Sequence, residues 1–464
     1  MMRYEKSANC KLLPLTSSED SAHAGTELTT RVQNLWLIVF LILLSLFPFT
    51  IYAEEKYSFD ASEIEKKPYH LGGYAEARPV IFWPDKNSAL YKLNYYNHPA
   101  GKTMEEYNLR FQLEGSYEKD IYKFYAKTNT DYKNAFSGES EHSIFYEAYG
   151  SLKPSPSLKM DVGKKTLKWG KGYAWNPVAF LDRPKDPNDP ELPLEGYIVA
   201  TADYIKSLGG PLKTISFTPV LMPVYDHIND SFGQNNNLNV AGKLYFLLYD
   251  TDIDLIFLTG GSKTTRYGAD FSRNITTNLE VHGEFAYIRD NQKTFIDSDG
   301  KSFMNEYDTQ SYLLGLRYLT AIDTTYIFEY YHGGTGFTED EMKNYYAFIN
   351  KGYQSYVSTG NDSLLQRAVT ITESNYGKMN PMRNYLFLRI SQKEPFDILY
   401  FTPAITFLYN WDDRGFNLSP EVVYTRITNL ELRLKASFII AGRDSEFGEK
   451  PNDYRLEFRA GYYF

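Results

Sequence analysis

One cysteine, Cys10, occurs in the 464 residues. It lies ahead of the longest apolar run, so a chain cleaved after that run contains none. That excludes a disulfide framework, a thiolate metal site and a CxxCH haem attachment. No apolar lipobox precedes Cys10, so it is not read as a lipid attachment site. Long hydrophobic runs are equally scarce. Only "NLWLIVFLILLSLFPFTIYAEE" (Asn34 to Glu55) approaches the ~20 residues of a membrane-spanning helix. The mean hydropathy of −0.45 excludes a polytopic helical membrane protein. Basic residues are outnumbered, 49 Lys and Arg against 58 Asp and Glu, and the net charge of −9 argues against a nucleic-acid partner. The histidines lack metal-ligand spacing, no G-x-S-x-G occurs, and no Ser/His/Asp set stands out. The sequence therefore reads as a non-enzyme without metal or cofactor.

Aromatic residues are abundant: 16% of the chain, with 41 Tyr and 30 Phe. That is too aromatic for disorder and too polar for buried cores throughout. Apolar residues confined to alternate positions, with aromatic belts, reconcile the two. Residues 1–53 read as an N-terminal extension plus a secretory signal cleaved after Ala53. Pro48 breaks the apolar run and polar "EEKYSFD" follows it. A membrane anchor is the alternative reading of the same run. Residues 54–70 follow as a periplasmic segment, and residues 71–464 as one structural unit.

Within that unit the apolar period is two. In "NLRFQLEG" Leu109, Phe111 and Leu113 alternate with Arg110, Gln112 and Glu114. In "NLEVHGEFAYI" Leu279, Val281, Phe285 and Tyr287 alternate with Glu280, His282 and Glu284, and "NLELRLKASF" repeats the pattern. Such segments are half-buried strands. About 18 of them (16–18), each of roughly 8–13 residues, have the length that crosses a bilayer when tilted. Short links ("EKD", "KPSPS", "SLGGP", "DTD", "ITT", "AID", "KEP", "ITN") alternate with long ones at 82–106, 131–142, 165–195, 220–238, 290–309, 334–381 and 442–452. Helical periodicity is almost absent after residue 70. Short turns on one rim and long loops on the other predict an all-β, antiparallel transmembrane barrel with short periplasmic turns and long extracellular loops. A water-soluble sandwich requires no such regularity.

The chain ends mid-strand on "NDYRLEFRAGYYF". Tyr454, Leu456, Phe458, Tyr462 and Phe464 point one way, and Arg455, Glu457 and Arg459 the other. This terminal strand resembles that of Gram-negative outer-membrane β-barrel families, in which alternating apolar positions and a final Phe are the signal read by the barrel-assembly machinery. The resemblance implies a cell outer-membrane location with lipid and lipopolysaccharide around the wall; a homotrimer is one possible oligomer, and the sequence does not name the oligomeric state. The stretch "VGKKTLKWGKGYAWNP" is similar to a strand-then-loop pattern of porin-like families, including alginate-export-like barrels. The matching residues are Gly163, Lys164, Trp169, Gly170, Asn176 and Pro177.

Two groups of residues follow as candidates. The loop from Lys164 to Gly196 carries Lys168, Trp169, Lys171, Tyr173, Trp175, Asp182 and Arg183, and is stiffened by Pro184, Pro187, Pro190 and Pro193. Folded inward, it would give both Trp rings a wall and narrow the pore; on the surface it would be an aromatic cap. The inward strand charges Arg110, Glu114, Glu280, Glu284, Arg389, Arg433, Arg455 and Arg459 would line the lumen, either paired across strands or as a basic track for anionic solutes. The expected function is passive, porin-like passage of small hydrophilic or anionic solutes. The alternative is a plugged barrel acting in surface glycan binding or polysaccharide export and assembly, for which "NYYNHPAG" and "EYYHGGTGFTEDEMKNYYAF" offer aromatic rings.

Overall fold

The computed structural model describes residues 67–464; the predicted extension, signal and most of the periplasmic segment lie outside them. The described residues form one antiparallel sheet of 18 strands that closes on itself. Its strands are β1 (Tyr69–Pro84), β2 (Met104–Lys119), β3 (Tyr122–Ala135), β4 (Gly138–Ser155), β5 (Leu158–Lys165) and β6 (Tyr197–Ser207). These are followed by β7 (Leu212–Val224), β8 (Asn237–Leu248), β9 (Thr251–Thr259), β10 (Arg266–Thr276), β11 (Leu279–Ile296) and β12 (Ser302–Leu319). The last six are β13 (Thr324–Gly333), β14 (Asn384–Gln392), β15 (Phe401–Asn410), β16 (Phe416–Tyr424), β17 (Leu430–Ile440) and β18 (Asn452–Tyr463). The first strand starts at Tyr69, two residues before the predicted boundary.

Each strand pairs with its sequence neighbours, and β1 pairs with both β2 and β18. Closure leaves no sheet edge, which a wall in lipid requires. The terminal residue completes the seam. Phe464 and Gly73 exchange backbone hydrogen bonds of 3.1 and 3.0 Å, and the Phe464 ring stacks on Phe111. The final Phe is thus a structural member of the wall.

Alternation sorts the side chains. Phe111, Leu113, Phe124, Phe217, Leu255, Phe285, Leu314, Phe328, Leu434, Leu456 and Phe458 stand exposed on the outer face. Tyr117, Tyr122, Tyr249 and Tyr400 lie exposed near the short turns, as an aromatic girdle requires. Tyr454 and Phe464 are exposed on the same outward face, and Tyr462 is half-buried.

Two predicted long loops are strand instead. Residues 131–142 lie in a hairpin turning at 136–137, and residues 290–309 in one turning at 297–301. Each ribbon packs one face on the loops beside it: Ile296 is buried in the helical cluster, and Phe136 lies against Tyr95 and His98. The expectation of almost no helix also needs correcting. The loop after β1 holds α1 (Ala89–Tyr95), and the loop after β13 holds α2 (Glu339–Thr359) and α3 (Ser363–Ile371). Thr338 starts α2 with a capping box: its hydroxyl accepts from the Glu341 amide, and the Glu341 carboxylate accepts from the Thr338 amide. The three helices pack together. Tyr345, Tyr346 and Phe348 are fully buried with Leu93, Leu365, Tyr376 and Tyr385. The tyrosines of "EYYHGGTGFTEDEMKNYYAF" that the glycan-binding alternative invoked are therefore largely core of this cap; Tyr95 and Tyr96 of "NYYNHPAG" are half-buried against Phe136 and Tyr356.

A strap inside the barrel as the candidate functional site

The 31 residues between β5 and β6, 166–196, form no helix or strand. A stretch this long would carry many unpaired backbone amides inward unless the wall supplied acceptors. It does so with carboxylates. Glu284 on β11 accepts from the amides of Lys171 (2.6 Å), Gly172 (2.7 Å) and Val178 (3.2 Å), and from Asn176 Nδ2 (3.0 Å). Glu329 on β13, wholly buried, accepts from the amides of Tyr173 and of Ala174 (2.9 Å) and lies 3.0 Å from His282 Nε2. Within the strap, Asp182 accepts from the Leu167 and Trp169 amides at 2.8 and 3.0 Å.

The local backbone explains the Trp-Gly pair. Lys168 adopts φ 57° and Gly170 φ 92°, both left-handed. A Cβ on Gly170 would stand 2.7 Å from Asn176 Nδ2 and 2.8 Å from Glu284 Oε1. Only glycine permits both that dihedral and that approach.

The two tryptophans face different stretches of wall. Trp169 is buried with Val178, Phe180 and Leu181 of the strap and with Val199, Val220, Met222, Ile256 and Leu258 of β6, β7 and β9. Trp175 stacks on Tyr331 of β13 at 5.1 Å and meets Tyr385 and Phe387 of β14. Tyr173 lies 5.8 Å from the Phe387 ring and donates its hydroxyl to Glu191 at 2.9 Å. The strap tip then reaches the last strands. The Asn188 carbonyl accepts from Lys435 of β17, Asn188 Oδ1 accepts from Asn417 of β16, and Asp189 pairs with Arg459 of β18 at 2.6 Å.

The predicted cations of the strap do not stand together as one free charge cluster. Lys171 reaches the wall, 2.9 Å from Asp254 of β9 and 3.8 Å from Asp270 of β10. Arg183 pairs with Glu195 at 2.9 Å and lies over the Tyr197 ring at 4.8 Å. Lys168 is exposed. All three, with Asp182 and both tryptophans, line one chamber of about 680 Å³ beside the strap. Lys127 of β3, Glu147 of β4, Lys185, Lys263 and Arg266 line it too.

Most of the predicted lumen charges are paired. Arg110 meets Asp131 of the neighbouring strand at 2.6 Å, and Glu114 lies 3.9 Å from Lys127. Arg389 bonds Glu421 at 2.5 Å, Arg433 bonds Glu431 at 3.1 Å, and Arg455 bonds Glu457. Arg459 joins Glu457 (3.0 Å), Glu76 (3.7 Å) and Asp189. Glu280 accepts from Ser272 at 2.8 Å and lies 3.4 Å from His282 Nδ1. Glu284 departs from its expected place: it is buried under the strap and holds backbone amides, so it lines no water-filled space.

Sequence reading missed Glu329, Asp254, Asp270, Lys185 and Asp189. For Glu329 the signal was a lone acid in an apolar strand, "TTYIFEYY", and for Asp254 an acid opening the apolar run "DLIFL". A buried carboxylate there requires partners, and no partner is near in sequence.

An outward apolar band, an ion-paired inner face and a lumen strap define the fold of a transmembrane β-barrel. No family model and no curated protein matches the sequence. Solved structures of similar outline include Pseudomonas aeruginosa OccK5 (OpdH), at 13% identity and TM-score 0.49 over 85% of this chain and 98% of that one. P. aeruginosa OccK11 (OpdR) is similar at 11% identity and TM-score 0.48 over 85% and 95%. A mutant of Rh. blastica porin is similar at 10% identity and TM-score 0.42 over 85% and 100%. Identity at this level assigns no solute.

Proposed function

We propose that this protein is a non-catalytic outer-membrane channel for passive passage of small hydrophilic solutes, with the strap as its constriction. One contrast between two parts of the wall carries the reading. Where Trp169, Val178, Phe180 and Leu181 of the strap dock, the inner face is apolar: Val199, Val220, Met222, Ile256 and Leu258. On β2 and β3 the inner face is polar: Arg110, Gln112, Glu114, Lys127, Asn129 and Asp131. Apolar lining is stable only under cover, and polar lining is what water and hydrophilic solutes require. The solute path thus runs between the strap and the β1–β4 wall. The charges beside that path, Lys168 and Lys127 among them, set its ion preference.

A closed lumen serving glycan binding or polysaccharide export is the second reading. It is favoured by the burial of strap residue Trp175 against the same cluster that holds the helical cap. Reconstitution in planar bilayers decides between them. Discrete conductance steps from folded, heat-modifiable protein support the channel; folded protein that inserts without conductance overturns it. Lipopolysaccharide around the wall and recognition of the last strand by the assembly machinery belong to the same reading.

A further inference from the structure

Two cations that line the chamber beside the strap lack counter-charges. Lys263 lies in the 260–265 turn and Arg266 opens β10. Neither takes part in any ion pair among the described residues, whereas most other lumen cations do. Arg266 Nε is buried without a hydrogen-bond partner. Lys263 has only the Phe232 ring beneath it, 3.7 Å from its Nζ. Arg183 converges on the same spot. Its guanidinium lies 3.3 Å from Ser231, the residue before Phe232, and its stacking partner Tyr197 meets the Phe232 ring edge-on at 5.3 Å. Arg183, Lys263 and Arg266 all line the chamber of about 680 Å³.

Burying like charges together without an anion is unfavourable. Its effect shows on Lys263, which burial, with Arg266 and Arg183 nearby, pushes down to about 7. A structure that needed only to be stable would place carboxylates here, as it does at Lys171 and Arg459.

We propose that Lys263 and Arg266, with Arg183 at their edge, form a binding site for a compact, multiply charged oxyanion of the size and charge of inorganic phosphate, taken up from the chamber beside the strap. The convergence of Arg183 and Lys263 on the adjacent residues Ser231 and Phe232 favours a compact ion over an extended one. Arg guanidinium and Lys ammonium together supply the charge-assisted donors such an ion requires. This deepens the channel reading by naming a solute class at the same chamber.

Equilibrium dialysis with labelled inorganic phosphate, on folded protein in detergent, tests the site without requiring conductance. Saturable binding is expected, weakened about tenfold or more in Arg266→Gln and in Lys263→Gln. Lys263→Arg should retain it. In planar bilayers the same phosphate should reduce single-channel current in a saturating manner, and the Gln variants should relieve that block. Phosphate binding without any conductance would support the site and overturn the channel. Conductance with no saturable phosphate binding, binding unchanged in both Gln variants, or succinate binding tighter than phosphate would each overturn the site. Heat-modifiability on gels verifies that every variant is a folded barrel.

Discussion

Arg459, on the strand that closes the barrel, holds Asp189 at the tip of the strap at 2.6 Å. The contact ties the lumen insertion to the seam. Burial opposes the charge on Asp189, but Arg459, Lys435 and Arg433 outweigh it and hold the carboxyl below its ordinary value. A depressed carboxylate contributes stability that is fully present above its unfolded value and is lost as pH falls through the folded one. Acidification below the usual aspartate range should therefore release the tip. Asp189→Asn should mimic that release at neutral pH, giving noisier and larger single-channel currents with the barrel intact. Identical current traces for variant and wild type would show that the tip does not bound the pore.

Glu284 supports more of the strap than any other wall residue, accepting three backbone amides and one side-chain amide. Glu284→Ala leaves those donors buried and unpaired, at about 1–3 kcal/mol for each that finds no water. The strap should then undock. Proteolysis within residues 166–196, or faster amide exchange there, would register it. Glu280→Ala, which removes a carboxylate on the same strand that holds no strap amide, is the control and should change neither.

Glu446, in the 441–451 loop, accepts from the Tyr385 hydroxyl (2.6 Å) and Asn410 Nδ2 (2.8 Å). Burial pushes its carboxyl up to about 7, against Lys450. The folded value is raised above the unfolded one, so the folded state favours the neutral acid. Its contribution is full below the ordinary glutamate value and is lost as pH rises through about 7. The outer cap should loosen between weakly acidic and neutral pH, and Glu446→Gln should flatten that dependence. Thermal unfolding followed at pH 5 and pH 8 checks it. A wild-type midpoint that is the same at both values contradicts the assignment.

Leu434 is 45% exposed on the outer face of β17, between Val422 and Phe458. Leu434→Arg should destabilise the barrel by roughly 2–4 kcal/mol if its depth is near the midplane. The neighbouring Arg433→Leu, which faces inward and breaks the Glu431 pair, should cost less. Urea unfolding in lipid vesicles compares them, and a reversed order would place the lipid on the other face.

The sequence by itself determined the wall. Alternation in "NLRFQLEG" or "NLELRLKASF" is a local, period-two pattern, and each such strand reports which face meets lipid regardless of its partners. The terminal Phe464 and the run of short turns are equally local. The lumen was decided elsewhere. Residues 166–196 carry no periodicity, and their placement depends on Glu284, Glu329 and Arg459, which are 100 or more positions away from the residues they hold. The helical cap lay in between: "TEDE" is a capping signal legible in sequence, yet α2 is stable here because Tyr345, Tyr346 and Phe348 are buried by α1, α3 and the wall. The tertiary structure also decided which charges remain free. Lys171 and Lys263 look alike in sequence, but the closed barrel brings Asp254 to the first and the Phe232 ring, Arg266 and Arg183 to the second. Charge pairing is a property of distances across the lumen, and the strand pattern does not encode those distances.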